Sequence, residues 1–216
     1  MRRISIRNKK FSIVGHGQRT TMDANFKDIV VVDMANVSRV YYEGEYEQNV
    51  QKAPTCWSVD NQRPAEGVLE ENKQANRCLD CTHNIRGSGQ NRGRACKFIQ
   101  NIAVAFEGQF DTMYRLKLPA TSIYGKAKGG HLPMQEYMKF LSSRGSEISS
   151  VLTRMYFDSS SNVPKLFFKP MRSLTGEELS TVGEMQNHVD THMAISFIVI
   201  PNSPFDVTEG FELNAT

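Results

Sequence analysis

All four cysteines of the chain fall within residues 54–98, and this segment constrains the fold more than any other. Cys56 stands alone, Cys78 and Cys81 form a C-x-x-C pair, and Cys96 follows after fourteen more residues. The surrounding sequence is polar and rich in glycine and proline. A segment with so few aliphatic side chains cannot bury a hydrophobic core of its own. We therefore expect the cysteines to hold it together.

The C-x-x-C spacing lets two thiolates face one metal ion, and zinc takes four such ligands in a tetrahedron. A site closed by four thiolates has no open position, so its zinc is structural, and the binding energy becomes folding energy. We predict structural Zn²⁺ as the cofactor, with Cys56, Cys78, Cys81 and Cys96 as its ligands. Core cysteines, disulfides and an iron–sulfur cluster remain alternatives. His83 lies two residues after Cys81 and could replace one thiol.

The composition suits a globular protein of the cytoplasm. Hydrophobic residues make up 39% of the 216 residues and charged residues 23%, which is typical of globular domains. The N-terminus, MRRISIRNKKF, has no apolar stretch, so it predicts no secretory signal. In a reducing cytoplasm, clustered cysteines favour metal binding over disulfides.

Positive charge concentrates around the cysteines. The net charge is only +3, yet residues 73–97 contain six cations and one acid, Asp80. A local basic patch on a protein of moderate charge indicates contact with phosphate on one side. The candidate phosphate contacts in and around the loop RGSGQNRGR are Arg86, Arg92, Arg94 and Lys97. Their alternative is a solvated face.

The RGSGQNRGR loop is expected to be flexible, with glycines that let backbone N–H groups approach phosphate. Arginine pairs bidentately with phosphate, and an aromatic face can stack on a base. Trp57 directly follows Cys56 and could stack in this way, or it could only pack over the metal site. We therefore include Trp57 among the candidate nucleic-acid contacts.

Two further aromatic and basic groups are candidates. One of Tyr41 and Tyr42 faces outward on a strand, and Tyr42 with Arg39 could contact a base and a phosphate. The alternative for each of Tyr41, Tyr42 and Tyr46 is an ordinary surface tyrosine. Tyr124 precedes the loop GKAKGG, so Tyr124, Lys126 and Lys128 form a second candidate group, with a solvated hinge as the alternative.

The hydrophobic pattern predicts six or seven strands and two helices. The clearest strands are residues 28–34 and 37–42, expected to form a hairpin, with others at 10–14, 98–106, 113–118, 151–157 and 165–169. Helices are expected at 133–144 and at 175–193, the second opened by a capping box of Thr175 and Glu178. This predicts a mainly β or α+β fold such as a partly open antiparallel barrel.

No motif of a catalytic nucleophile or a phosphate-binding loop is present, so we predict that the protein is not an enzyme. His188 and His192 stand four residues apart and could bind a metal, which leaves a metal-dependent nuclease as an alternative. The glutamate of an H-E-x-x-H motif is missing between them.

The motifs YYEGEY, APTCWSVDNQRP, CLDCTHNIRGSGQNRGRACKF and LPATSIYGK together resemble phage-encoded single-stranded DNA-binding proteins. The resemblance covers about residues 28–170. It implies an OB-like barrel over residues 1–200, with residues 50–98 as an inserted zinc subdomain whose ligands are the four cysteines. It also implies a protein that coats single-stranded DNA during phage replication or recombination in the host cytoplasm, beside phage replication proteins and away from membranes.

The tail, residues 201–216, is expected to be flexible and mildly acidic. Many members of the resembled family end in a strongly acidic tail that recruits partners, whereas DVTEGFELNAT has three acids and one aromatic. A different class of function also stays open. On that interpretation the chain is a zinc-containing regulator that binds a host protein and has no affinity for DNA.

Overall fold

The structure is a computed structural model, and it describes residues 1–44, 52–127, 129–197 and 199. The described chain divides into two compact units. The sheet unit comprises residues 1–35 and 101–196, and the cysteine unit comprises residues 36–100. The cysteine unit is therefore wider than the expected insertion at 50–98.

An α+β fold rich in sheet is confirmed, with ten strands and four helices in the part of the chain that the structure describes. The strands are β1 Arg3–Ser5, β2 Phe11–Gly15, β3 Gln18–Met22, β4 Phe26–Met34, β5 Ser38–Tyr41, β6 Cys56–Ser58, β7 Lys97–Phe106, β8 Gln109–Pro119, β9 Val151–Phe157 and β10 Leu166–Ser173. The helices are α1 Ala120–Ile123, α2 Met134–Ser142, α3 Gly176–Gln186 and α4 Val189–Ile195.

The strands form an open sheet in the order β10-β9-β4-β7-β8-β1-β2-β3, and β5 pairs with β6 and β7. The pairing is not wholly antiparallel as expected, because β1 runs parallel to β8, with Arg3 opposite Arg115. The sheet curls, since the rings of Phe11 in β2 and Phe157 in β9 lie 4.4 Å apart between centroids.

The expected hairpin of residues 28–34 with 37–42 is wrong. Strand β4 pairs with β7 and β9, and β5 pairs with β6 and β7. The reason lies in the apolar run at the centre of β4, where Val30 and Val31 are fully buried on opposite faces. A strand buried on both faces belongs in the interior of a sheet, with a long partner on each side.

The helix expected at 175–193 is two helices. Helix α3 ends at Gln186, and His188 takes an extended conformation and caps α4. The hydroxyl of Thr191 in α4 donates to the Met185 carbonyl oxygen at 2.6 Å, which fixes the break. The capping box is confirmed, because Thr175 and Glu178 each accept from the other's backbone N–H, at 3.3 and 2.8 Å.

Helices cover both faces of the sheet. On one face the Tyr137 ring of α2 stacks on Phe168, and its hydroxyl shares a 2.6 Å hydrogen bond with Thr153. Burial raises the pKa of Tyr137 to about 12. On the other face Val182 and Met185 of α3 pack into a cluster with side chains of the central strands, namely Val30, Val32, Ala105, Met113 and Leu152.

No helix within the described residues is long and apolar enough to cross a membrane.

Candidate metal pocket and nucleic-acid interface

All four cysteines line one small pocket of the cysteine unit. Cys56 begins β6, Cys78 and Cys81 come from the polar segment, and Cys96 precedes β7. The pocket is completed by Arg39, Tyr41, Trp57, Ser58, Pro64, Gln74 and Ala75. The fold therefore brings together four thiols that are spread over 41 positions of the sequence.

Backbone hydrogen bonds hold the cysteine-bearing segments in place. The N–H of Cys78 donates to the Gln62 carbonyl oxygen at 2.8 Å, and the N–H of Cys96 donates to the His83 carbonyl oxygen at 2.9 Å. The backbone N–H of Gln74 donates to the Cys56 thiol. This N–H group favours the thiolate of Cys56, but the opposite effect of burial on that thiol is larger.

Burial raises the pKa of two of the four thiols. Burial raises the pKa of Cys96 to about 11, and the neighbouring thiols add to the rise while Arg39 opposes it. Burial likewise raises the pKa of Cys56. All four cysteines are free thiols. Across the described ranges no three His, Cys, Asp or Glu side chains are placed to hold a metal, so zinc stays a prediction from the sequence.

His83, the alternative ligand, is engaged elsewhere. Its ring stacks on Tyr41 with centroids 4.0 Å apart and an angle of 18° between the planes. Its Nε2 shares a hydrogen bond of 3.1 Å with the side-chain oxygen of Gln74. His83 is not among the residues that line the pocket. The arrangement gives it a packing role beside the cysteines.

Arg39 was a candidate DNA contact, and the structure corrects this assignment. Arg39 is only 8% exposed. The guanidinium donates from Nε to Asn61 Oδ1 at 3.0 Å and from Nη1 to Asn84 Oδ1. It also lies 4.2 Å above the centre of the Phe98 ring. Arg39 therefore ties together three segments of the cysteine unit and does not present its charge to a ligand.

The arginine loop folds back on itself through backbone hydrogen bonds. The N–H groups of Gly87 and Gly89 both donate to the Gly93 carbonyl oxygen, at 2.8 and 3.0 Å. A Cβ on Gly89 would lie 2.7 Å from the backbone nitrogen of Ala95. The glycines therefore allow the loop to pack closely against itself. The N–H groups of Gly87 and Gly89 are already hydrogen-bonded within the loop and are not available to phosphate.

The other candidates of the cysteine unit differ in exposure. Arg86, Arg92, Arg94 and Lys97 are exposed. Arg94 donates from Nε to the Asn84 carbonyl oxygen at 2.6 Å. Trp57 is half-buried on the pocket, where its ring lies 3.3 Å from the place of a Cβ on Gly67. Packing over the pocket is thus the geometry that Trp57 adopts.

Tyr42, Tyr124 and Lys126 are not among the residues that line this pocket. Tyr42 is 44% exposed, Lys126 is exposed, and Tyr124 is half-buried. Tyr46, Lys128 and the whole of the tail at 201–216 lie outside the described residues.

A surface that the sequence reading missed lies on the sheet unit. Phe26 in β4 stands opposite Tyr156 in β9, and Tyr156 stands opposite Phe167 in β10. Residues paired in this way share one face, so the three rings form a line across three strands. We call Phe26, Tyr156 and Phe167 the aromatic row. Their sheet face is the one on which α3 packs further along the strands.

Cations stand directly on the aromatic row. The guanidinium of Arg154 lies 3.9 Å above the Phe26 ring centre, and the Lys165 ammonium lies 4.3 Å above that of Phe167. Asp28 holds Arg154 through two hydrogen bonds of 2.7 Å, and Asp158 holds Lys165 at 2.9 Å. These carboxylates fix the cations in position.

The basic loop that follows Tyr124 leads to the same surface. After Gly129 and Gly130, the Nδ1 of His131 shares a 2.8 Å hydrogen bond with the Tyr156 hydroxyl. The His131 ring lies 5.3 Å from that of Phe167. The alternating aromatic positions in FKD, MYF and KLFF carry a weak signal for this row. The strand register aligns these rings on one face, and no local pattern in the sequence predicts that register.

The histidine pair does not form a helical metal site. His188 is the N-cap of α4, and its Nδ1 accepts from the Asp190 N–H at 3.2 Å, while His192 lies inside the helix. The two side chains therefore do not project from one continuous helical face.

No family model, curated protein or solved structure matches this chain. The resemblance to phage single-stranded DNA-binding proteins accordingly rests on the motifs of the sequence and stays a prediction.

Proposed function

We propose that the protein binds single-stranded DNA without strong sequence preference, during phage DNA replication or recombination, and that it catalyses no reaction. The observation that carries this proposal is the aromatic row, where Phe26 is 43% exposed and the exposed cation Lys169 lies on the same sheet face. Arg154 and Lys165 are already paired with carboxylates. Rings that stack on bases, combined with cations that track the backbone, are the common means of holding single strands without reading their sequence.

The aromatic row has the exposure that stacking needs at one end. Phe26 is 43% exposed, whereas Phe167 is buried at 6% under Lys165 and beside His131. A base can therefore stack at Phe26 and Tyr156, with Phe167 supporting the row from within. Lys169 in β10 is exposed and pairs with Arg154 in β9. This pair lies two residues along each strand from the pair of Phe167 and Tyr156. Its ammonium group can reach a phosphate of the same strand of DNA.

An OB-like barrel is the architecture that we propose for the sheet unit. The curl that brings Phe11 to Phe157 supports it. The parallel pairing of β1 with β8 and the presence of helices on both faces depart from a simple barrel. The proposal is therefore a modified barrel with additional strands at one edge.

Structural zinc belongs to the same proposal. The four thiols that line one pocket are the donor set of a closed zinc site. Cys56, Cys78, Cys81 and Cys96 would hold the ion, which would supply folding energy and no chemistry. The exposed Arg86, Arg92 and Lys97 would then sit on a rigid unit and could add contacts to phosphate.

The test is fluorescence anisotropy with labelled oligo-dT and with a duplex of equal length, each at two salt concentrations. We expect preference for oligo-dT and a steep loss of affinity with salt. Phe26→Ala should weaken oligo-dT binding by about 1–3 kcal/mol, the usual contribution of one stacked base.

Phe140→Ala is the matched control, because Phe140 on α2 carries Arg144 at 3.7 Å in the same kind of pair. It should leave the affinity unchanged. Equal affinity for duplex, or none for either oligomer, would contradict the proposed function.

A second candidate function is binding of a host protein by the cysteine unit. Three aliphatic side chains near the cysteines are strongly exposed, namely Leu69 at 61%, Leu79 at 71% and Ile85 at 61%. Exposed apolar residues of this kind are typical of protein interfaces. A Leu79→Ser variant that loses a purified host partner such as polymerase, while the wild type shows no affinity for oligo-dT, would favour this function.

A further inference from the structure

A second group of cations lies in the sheet unit. It crosses β8, β1 and β3, towards the opposite edge of the sheet from the aromatic row. Arg3 in β1 stands opposite Arg115 in β8. On its other side Arg3 stands opposite Val14 in β2, and Val14 stands opposite Arg19 in β3. Lys117 follows two positions after Arg115 and so shares its face. We call Arg3, Arg19, Arg115 and Lys117 the cationic row.

The alternation of the strands shows which way the row faces. Ile4 and Leu116, the neighbours of Arg3 and Arg115, are buried at 4% and 0% and point to the core. The cations therefore point to the opposite face of the sheet. Arg3, Arg19 and Lys117 are exposed there. Four strands about 4.8 Å apart give this row a width of about 14 Å, enough for more than one phosphate.

The charges of the cationic row are not neutralised within the described residues. No ion pair there joins any of the four cations to a carboxylate. Arg115 donates to the carbonyl oxygens of Met193 and Ala194 at the C-terminal end of α4, the latter at 2.9 Å. These contacts hold the arginine in place without cancelling its charge.

The row carries an electrostatic cost. Like charges directly opposite each other in a sheet are destabilising, and Arg3 and Arg115 are such a pair. Partial desolvation lowers the pKa of Arg3, and repulsion from Arg19 and Arg7 lowers it further. Desolvation followed by repulsion from Arg115 and Arg3 lowers the pKa of Lys117. A bound anion would relieve this repulsion, and the sites where proteins tolerate such local conflicts are often functional.

We propose that the cationic row binds the phosphodiester backbone of single-stranded nucleic acid, as a contact surface separate from the aromatic row. This inference rests on the proposed function and adds a position for the backbone. The ligand is a polyanion because several unpaired cations in one line match a repeating charge better than a single small anion. Arg3, Arg19 and Lys117 make the contacts, and Arg115 strengthens the local positive potential.

The experiment separates backbone binding from base stacking. Anisotropy titrations over a range of salt use oligo-dT and an abasic oligomer of tetrahydrofuran phosphodiester units, each about 16 units long, the upper end of typical site sizes. In the Arg3→Gln/Lys117→Gln variant, we expect the slope of log affinity against log salt to decrease by about 1.4 on both oligomers, because each phosphate contact on a single strand contributes about 0.7.

The control is Lys139→Gln/Arg144→Gln, which removes the same amount of charge from α2 and the turn that follows it and should leave both slopes unchanged. Thermal unfolding provides a second readout. Arg3→Gln removes repulsion, so its melting temperature should equal or exceed that of the wild type. A fall in melting temperature without a change of slope would make Arg3 a structural residue and overturn the proposal.

The remaining outcomes each decide a different question. Unchanged slopes in the cationic-row variant, with oligo-dT still bound, overturn the cationic row and leave the proposed function standing. Slope loss on an abasic oligomer that binds as tightly as oligo-dT supports the row and contradicts stacking. Absence of binding to both oligomers overturns both proposals. Equal binding and equal slope loss on duplex overturn the assignment to single strands.

Discussion

Different interactions stabilise the interior of each of the two units. The sheet unit buries a continuous set of apolar side chains, including Ile29, Val31, Met155 and Phe168 at 0% exposure. The cysteine unit has few such residues among those described, and its centre is the buried Arg39 with its amide partners. Hydrophobic burial specifies the first unit, whereas polar contacts such as those of Arg39 connect the segments of the second.

One chain can thus contain a segment that has few apolar side chains to bury and that folds around specific hydrogen bonds. Burial is tolerant of substitution as long as volume is conserved. A buried polar network is not, because each group left without its partner costs free energy. The two units should therefore respond to different perturbations.

Metal removal should give the largest difference in response between the two units, because it should affect the cysteine unit and leave the sheet unit intact. We expect about one zinc per chain by elemental analysis, as a single tetrahedral site requires. In Cys78→Ser, or after chelation, the amides of Cys78 and Cys96 should lose hydrogen-exchange protection, because structural zinc contributes about 10–16 kcal/mol to zinc-finger peptides at pH 7. The amides of β4 and β9 should keep theirs.

Ala75→Ser is the control for this experiment, since Ala75 lines the same pocket without a thiol. It should retain the metal and the protection pattern. Full zinc content in Cys78→Ser would show that the ligand set is wrong, and loss of protection in both units would remove the distinction between them.

A core truncation should act on the sheet unit alone. Met155 is fully buried in β9, and Met155→Ala should destabilise this unit by about 2–5 kcal/mol through lost burial and a cavity. Denaturant unfolding followed by amide exchange measures the effect. Met138→Ala on the exposed side of α2 is the matched control. Equal loss of protection in the cysteine unit would contradict independent stabilisation.

Arg39→Leu should destabilise the cysteine unit by about 2–3 kcal/mol, because it leaves the side-chain oxygens of Asn61 and Asn84 without their charged donor. Arg86→Leu, at an exposed arginine of the same unit, should have little effect on stability. Thermal unfolding and oligo-dT affinity are measured on both. Reduced affinity with unchanged stability in Arg39→Leu would return Arg39 to the DNA-binding surface.

The smallest effect concerns acid sensitivity at the start of α3. Hydrogen bonds from Arg172 and from the Thr175 backbone lower the pKa of Glu178 to about 2. The pKa of this carboxyl in the unfolded chain is about 4.3. Its stabilising contribution is therefore complete above that value and is lost as the pH falls to about 2.

The measurement is thermal unfolding of the wild type and Glu178→Gln between pH 2 and pH 6, with an NMR titration of the carboxyl carbon. The two melting curves should converge at the acid end. Glu177→Gln, one position away and without this pairing among the described contacts, serves as the control. A Glu178 pKa near 4.3 would rule out this component of the sheet unit's stability.

Local patterns in the sequence predicted the elements that local physics controls. The apolar runs of β4, β7 and β9, the helix α2 and the capping box of Thr175 all follow from periodicity and from contacts a few residues apart. Short or exposed elements such as β1, β3 and α1 were not predicted, because three to five residues carry too little pattern to distinguish them from loops.

The candidate sites divide in the same way. The C-x-x-C spacing and the polar composition identified the four cysteines before any fold was known. Arg39 was misassigned because a charged residue is rarely buried, and only its three partners in distant segments explain its position. The aromatic row and the cationic row were missed because each is created by pairing across strands that are up to about 140 positions apart in the chain.

The sequence alone shows that residues 54–98 contain few aliphatic side chains and all four thiols, and composition limits how much core such a segment can bury. It also determined most of the long strands. Only the tertiary structure decided that β4 lies between β7 and β9, that the thiols share a pocket, and which aromatic and basic side chains line up. Those outcomes depend on strand register, which is set by non-local packing and is not encoded in any single stretch of the chain.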